Sequence, residues 1–166
     1  KNGYQRETTK FEPTSPYGCA KVFAFNLVKH YRFAYKLFCS NGILFNHESP
    51  RRGEEFVTRK ITKGLTDIYK GNKQSLSLGN INSLRDWGHA KDYIKMQWMM
   101  MQQNEPEDFV IATGEQITVK KFVELCALKL NWGGIEWEGE GLSEVGKRKD
   151  SGEIVVQIDP KYFRPS

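Results

Sequence analysis

An α/β fold is what this sequence predicts, and three observations predict it. Stretches whose apolar residues recur every three or four positions alternate with short runs rich in β-branched and aromatic residues. Glycine, proline and polar clusters punctuate the boundaries between them. At 166 residues, with 39% hydrophobic and 27% charged side chains, the chain has the size and balance of one globular domain.

The elements follow in order. Ser15-Pro16 is a helix start: the serine oxygen can accept from the first free amides, and proline suits the first helical position. Ala20, Phe23, Ala24, Leu27, Tyr31 and Ala34 then form an apolar stripe, predicting a helix to about Lys36. "LFCSNGILFN", Leu37 to Asn46, reads as a buried strand with a polar interruption. In "HESPRRGEE" the proline, glycine and charges argue against any regular element. A second helix is expected from about Phe56 to Tyr69, stopping at Gly71. "SLSLGN" and "SLRDW" read as short extended pieces around a turn. A third helix is expected over about His89 to Gln103, with Asp86, His89 and Asp92 able to cap and brace it. Met96, Trp98, Met99 and Met100 on it are candidates for core or subunit packing. "DFVIATG" predicts a strand, Thr118 the cap of a fourth helix through Leu130, and "IEWEGEG" and "IVVQIDP" extended segments separated by the polar, basic "LSEVGKRKDSG".

Composition narrows the partners. The net charge of +5 comes from 25 basic and 20 acidic side chains interspersed along the chain, which favours a small anionic ligand over nucleic acid. Three widely spaced cysteines without a Cys-x-x-Cys pair argue against a disulfide framework or structural zinc, and no metal site is expected. No apolar run is long enough to span a membrane, and the first ten residues lack the apolar core of a secretory signal. A reducing, cytoplasmic setting is the expectation. Position 1 is not methionine, so the chain is expected to begin inside a longer protein. A dinucleotide-binding half would open with a strand, a glycine-rich turn and a helix; the only G-x-G here, Gly139-Glu-Gly141, has no helix after it.

"SPYGCAK" carries the chemistry. A helix starting at Pro16 puts Tyr17 and Lys21 one turn apart on one face. A free phenol has a pKa near about 10, and lowering it by about three units takes roughly 4 kcal/mol of differential stabilisation. A desolvated lysine together with a cationic nicotinamide ring could supply that, giving a base for a hydroxyl proton while hydride leaves the same carbon. By spacing alone, Tyr17 is equally a member of the apolar stripe and Lys21 a solvated cation.

"NGILFNHESPRRGEEFVTRKIT" and "LGNINSLRDWGHAKDYIKMQWMMMQ", with "SPYGCAK" and "EDFVIATG", closely resemble the GDP-mannose 4,6-dehydratase family of the extended short-chain dehydrogenase/reductase superfamily. The likeness runs from "ETTKF" to "DPKYFRP". It implies the C-terminal portion of an extended Rossmann-type fold with part of the substrate lobe. Residues 1–50 would close the Rossmann portion, and 51–166 would form mostly the GDP-sugar lobe, with some elements returning to the first part. It implies NADP as a cofactor that is not consumed, GDP-mannose as substrate, and a dimer or tetramer. Tyr17 would take the proton from the C4 hydroxyl, and Lys21 would hold the nicotinamide ribose. His47 and Arg52 match positions that contact NADP. Asn46, Val57, Lys60, Arg85 and Arg164 match positions that hold the GDP-sugar, with Tyr162 close to them in "YFRP".

The resemblance also implies what is missing. The family's nucleotide-binding half, and the hydroxyl residue and acid that serve C5 deprotonation, would precede Lys1; Glu7 and Glu12 do not occupy that motif. The isolated chain is expected to be inactive. Two other readings stand beside the dehydratase: a sugar-nucleotide epimerase or reductase of the same superfamily, and a truncated binding module without catalysis.

Overall fold

A computed structural model describes residues 3–162; Arg164 lies outside the described residues. In chain order the elements are α1 (Pro16–Ala34), β1 (Asn41–Leu44), β2 (Asn46–Glu48), α2 (Val57–Tyr69), β3 (Leu76–Leu78), β4 (Leu84–Arg85) and β5 (Trp87–His89). There follow α3 (Ala90–Met100), β6 (Asp108–Ile111), β7 (Ile117–Thr118), α4 (Val119–Lys129), β8 (Ile135–Glu138), β9 (Val145–Arg148) and β10 (Ile154–Ile158). They divide into two compact units. One holds the residues up to His47 together with Trp87–Gly114, the other Glu48–Asp86 together with the residues from Glu115 onward.

In the first unit β1 and β6 pair in parallel, Asn41 opposite Asp108 through Leu44 opposite Ile111. β2 pairs with β5. Tyr93 and Met100 of α3 close a small core over Ile111, with Leu44 and Phe109 packed against it. A polar knot fixes the start of the sheet. The Arg32 guanidinium meets the Asp108 carboxylate and also donates to the Cys39 carbonyl at 2.7 Å, while the Asn41 amide donates to Asp108 at 2.9 Å. Burial alone would raise the Asp108 pKa; the hydrogen bonds from Arg32 and Asn41 outweigh it and hold the carboxyl below its usual range.

The second unit is built on a four-stranded sheet, ordered β3-β10-β9-β8, with β3 and β10 parallel and the other pairs antiparallel. α2 and α4 supply Ile61, Leu65 and Val123, which are fully buried with Leu76, Val155 and Val156 of the sheet. Among the described residues no helix is long and apolar enough to cross a membrane.

Four expectations are corrected. The stripe Ala20, Phe23, Ala24, Leu27, Tyr31 of α1 faces outward; the half-buried side is Gly18, Val22, Phe25, Val28 and Arg32. The helix is apolar around most of its circumference, so periodicity alone picked the wrong one of two apolar faces. The strand expected from Leu37 forms only at Asn41, because Lys36 takes a left-handed φ of 55° and the Cys39 carbonyl is spent on Arg32. His47 and Glu48, placed in an irregular loop, belong to β2. The polar separator after β8 contains β9, whose Lys147 and Arg148 pair with Glu138, Asp150 and Glu153. β9 shows no apolar alternation because its buried position is Gly146, where a side chain would meet Trp137 and Ile135 at 3.0–3.1 Å. Of the α3 packing candidates, Met100 is core, while Met96, Trp98 and Met99 are exposed.

Candidate active site

α1 begins as its sequence dictates. Ser15 is extended (φ −142°, ψ 155°), its Oγ accepts from the Gly18 amide at 3.0 Å, and Pro16 opens the first turn. Tyr17 therefore stands in the first turn with Lys21 one turn on, the phenol 75% exposed. Lys21 borders a groove of about 430 Å³ between α1 and β1, floored by Val22, Phe25, Asn41 and Ile43. Asn46 and His47 follow β1 directly, on β2. Asn46 is exposed, while the half-buried His47 ring places Nδ1 3.0 Å from the Phe45 carbonyl oxygen.

In the second unit a turn leads from Glu48 into α2. Glu48 accepts from the Thr58 hydroxyl, and the Arg52 guanidinium lies over the Phe56 ring at 3.7 Å. Arg52 Nε is 3.4 Å from Glu48, near enough to pair charges. It makes no hydrogen bond, although the atom is buried.

Val57, Lys60 and Arg85 come together. They line a cleft of about 470 Å³ with Asn80, Ser83 and Tyr162. The start of α2 opens on it. Phe56 occupies the N-cap without a side-chain acceptor, whereas Ser15, His89 and Thr118 cap α1, α3 and α4. Uncapped first-turn amides and the positive end of a helix favour an anion. Burial pushes the Lys60 ammonium pKa down, and the charge of Lys73 adds to this against the pull of Asp159. The Lys60 Nζ sits 3.7 Å from the centre of the Tyr162 ring. Arg85 is exposed and turns one guanidinium nitrogen back onto the Leu84 carbonyl at 2.7 Å.

The residues assigned to the sugar nucleotide are thus split: Val57, Lys60 and Arg85 share the cleft of the second unit, and Asn46 belongs to the first. The residues assigned to the cofactor are split too, Tyr17, Lys21 and His47 in the first unit and Arg52 in the second. Sequence reasoning passed over Asn80 and Ser83. Their signal was the polar turn "GNINS" between two short extended pieces, where amide and hydroxyl groups crowd an otherwise apolar segment.

The family profile described as GDP-mannose 4,6 dehydratase matches residues 1–166. The GDP-mannose 4,6-dehydratase of Vibrio cholerae is 54% identical over 172 residues, covering 98% of this chain and 46% of that protein. The Homo sapiens GDP-mannose 4,6 dehydratase is 54% identical over 162 residues, covering 98% of this chain and 43% of that protein. The chain therefore spans less than half the length of these relatives. Among solved structures, RMD from Pseudomonas aeruginosa complexed with NADPH superposes with a TM-score of 0.77 at 18% identity, covering 98% of this chain and 50% of that one. The dTDP-glucose 4,6-dehydratase of Bacillus anthracis in complex with NAD gives 0.74 at 22% identity, covering 96% and 45%. At such identities the likeness is one of fold: the α/β architecture is Rossmann-type.

Proposed function

Because this chain belongs to the GDP-mannose 4,6 dehydratase family, we propose that it serves the conversion of GDP-mannose to GDP-4-keto-6-deoxymannose. The observation that carries the proposal is the cleft at the open start of α2. Val57, Lys60 and Arg85, drawn from positions 57 to 85, line one cavity with an amide and a hydroxyl. Two cations beside uncapped helix amides suit a diphosphate, and Asn80 and Ser83 suit the polar edges of a ribose or base.

The residues present fit a nicotinamide dinucleotide. Arg52, its side chain 27% exposed and its guanidinium over the Phe56 ring, suits a phosphate and supports NADP as the form used. His47 and Lys21 offer a ring nitrogen and an ammonium to ribose. When bound, the nicotinamide would supply a reversible hydride acceptor. Tyr17 is the group that would accept the C4 hydroxyl proton as the C–H bond breaks, with Lys21 one turn on along the same face of α1 as its neighbouring cation. The ketone formed at C4 acidifies the C5 proton; a carboxylate base would take that proton and pass it to the departing C6 hydroxyl, which leaves as water.

The test is isotopic. GDP-mannose deuterated at C4 is incubated with the full-length protein that carries this chain and NADP, and the product is read by NMR and mass spectrometry. A 4-keto-6-deoxy sugar carrying the deuterium at C6 is expected. Deuterium restored to C4 in a sugar that keeps its C6 hydroxyl is epimerase behaviour and overturns the dehydratase reading.

A further inference from the structure

His47 is held on more than one side. Its imidazole stacks on the ring of Tyr93, centroids 5.0 Å apart and planes inclined by 30°. Tyr93 is itself 3% exposed, in the core of the first unit with Met100 and Ile111. The second hold is the contact of 3.0 Å from Nδ1 to the Phe45 carbonyl oxygen. A carbonyl oxygen can only accept, so Nδ1 carries the proton, and in the neutral ring the lone pair then resides on Nε2. The hydrogen bond sets the tautomer; the stack sets the plane of the ring.

Room for that stack is made in β5, the strand paired with β2. A Cβ at Gly88 would stand 2.3 Å from Tyr93 Cε2 and 3.0 Å from its Cζ and hydroxyl oxygen. The aromatic ring thus occupies the space that any other residue at 88 would fill.

We propose that Tyr93, seated against Gly88, is a positioning residue for His47. It holds the imidazole so that Nδ1 donates to Phe45 and Nε2 faces a ligand as a hydrogen-bond acceptor. The group His47 takes is therefore a neutral donor, an N–H or O–H of the dinucleotide, and not a phosphate, whose oxygens only accept. The ligand half of this inference rests on the reading of His47 as a cofactor contact; the tautomer half does not.

The two halves are separated by the readout. Nitrogen–proton correlation spectra of the His47 ring, taken roughly two units above the free-histidine pKa, report which nitrogen is protonated without any cofactor. The wild-type protein and Tyr93→Phe show the Nδ1–H form, because the ring face and not the hydroxyl does the holding. Tyr93→Leu shows both tautomers, and NADP binds about tenfold more weakly while GDP-mannose affinity is unchanged. Gly88→Ala, which displaces the ring without removing it, moves the spectrum in the same direction and stands in should Tyr93→Leu not fold. An Nε2–H ring in the wild-type protein, or an unaltered Nδ1–H ring in Tyr93→Leu, overturns the proposal. Mixed tautomers in Tyr93→Leu with unchanged NADP affinity uphold the positioning role and overturn the cofactor contact instead.

Discussion

The two units bury themselves very differently. In the second, Ile61, Leu65, Leu76, Val123 and Val156 are wholly shielded from solvent, and the sheet and two helices close on each other. In the first, the longest helix of the chain, the 19-residue α1, has no buried residue at all, and Phe23 on it is 69% exposed. Yet Tyr17, Lys21 and His47 belong to that sparsely packed unit. Apolar burial at roughly 25 cal/mol per Å² is the main source of folding stability, so the second unit carries most of it. The difference teaches that substitutions should sort by unit: those in the first cost rate or affinity, those in the core of the second cost folding.

The largest expected effect is on turnover. Tyr17→Phe removes a hydroxyl that is exposed and packs against little, so thermal stability is unchanged. In the full-length protein that carries this chain, dehydration should fall by about 10²- to 10⁴-fold, the range for loss of a general base, while calorimetry should show GDP-mannose binding intact. A variant that turns over normally breaks the assignment of Tyr17. Next comes Leu65→Ala, in the second core: stability drops by about 2–5 kcal/mol in denaturant titration, and the turnover of the folded fraction stays within a factor of about two. A loss below about 1 kcal/mol would mean that the second unit is not the stable one.

How much of this was legible beforehand follows from what each signal measures. Capping is local, so Ser15 and Thr118 announced two helix starts and His89 was one of three candidates at a third; each of the three accepts a first-turn amide. The stripe of α1 was misassigned because Val22, Phe25 and Val28 are as apolar as Phe23, Leu27 and Tyr31, and only the position of β1 decides between them. β9 was missed because its buried position is Gly146, which gives no apolar alternation to read. The site divides the same way. "SPYGCAK" was visible as a spacing and "NHESPRRGE" as a resemblance, but the gathering of Lys60 with Asn80, Ser83 and Arg85 depends on how α2 meets the strands that follow it.

Lys60 sharpens the comparison from the other unit. Lys60→Met keeps most of the side chain's bulk and removes the charge from the cleft. Affinity for GDP-mannose should fall by about tenfold, equivalent to roughly 1.4 kcal/mol, with no change in the hydride chemistry of molecules already bound. The sign with pH is fixed by burial. A lysine whose pKa is lowered loses its ammonium at a lower pH than an exposed lysine does, so the wild-type affinity declines as pH rises before the ordinary lysine range is reached. In Lys60→Met that decline is absent. An alkaline profile identical in the two proteins removes Lys60 from the anion site.

The smallest expected effect tests the comparison itself. Phe23 lies on the outward stripe of α1, and an exposed apolar side chain away from any special feature contributes within about 0.5 kcal/mol. Phe23→Ala should therefore leave the denaturation midpoint almost where it was, in contrast to Leu65→Ala. A large phenylalanine inside a packed interface costs about 3–5 kcal/mol when truncated, so the two states of this face are well separated by measurement. A loss of that size would show that the outward stripe is covered in solution and that the first unit is as well packed as the second. Repeating the titration over a hundredfold range of protein concentration then identifies the cover. If a second copy of the chain provides it, the midpoint rises with concentration in the wild type by mass action and is flat in Phe23→Ala. If the midpoint is flat in both, the cover is intramolecular.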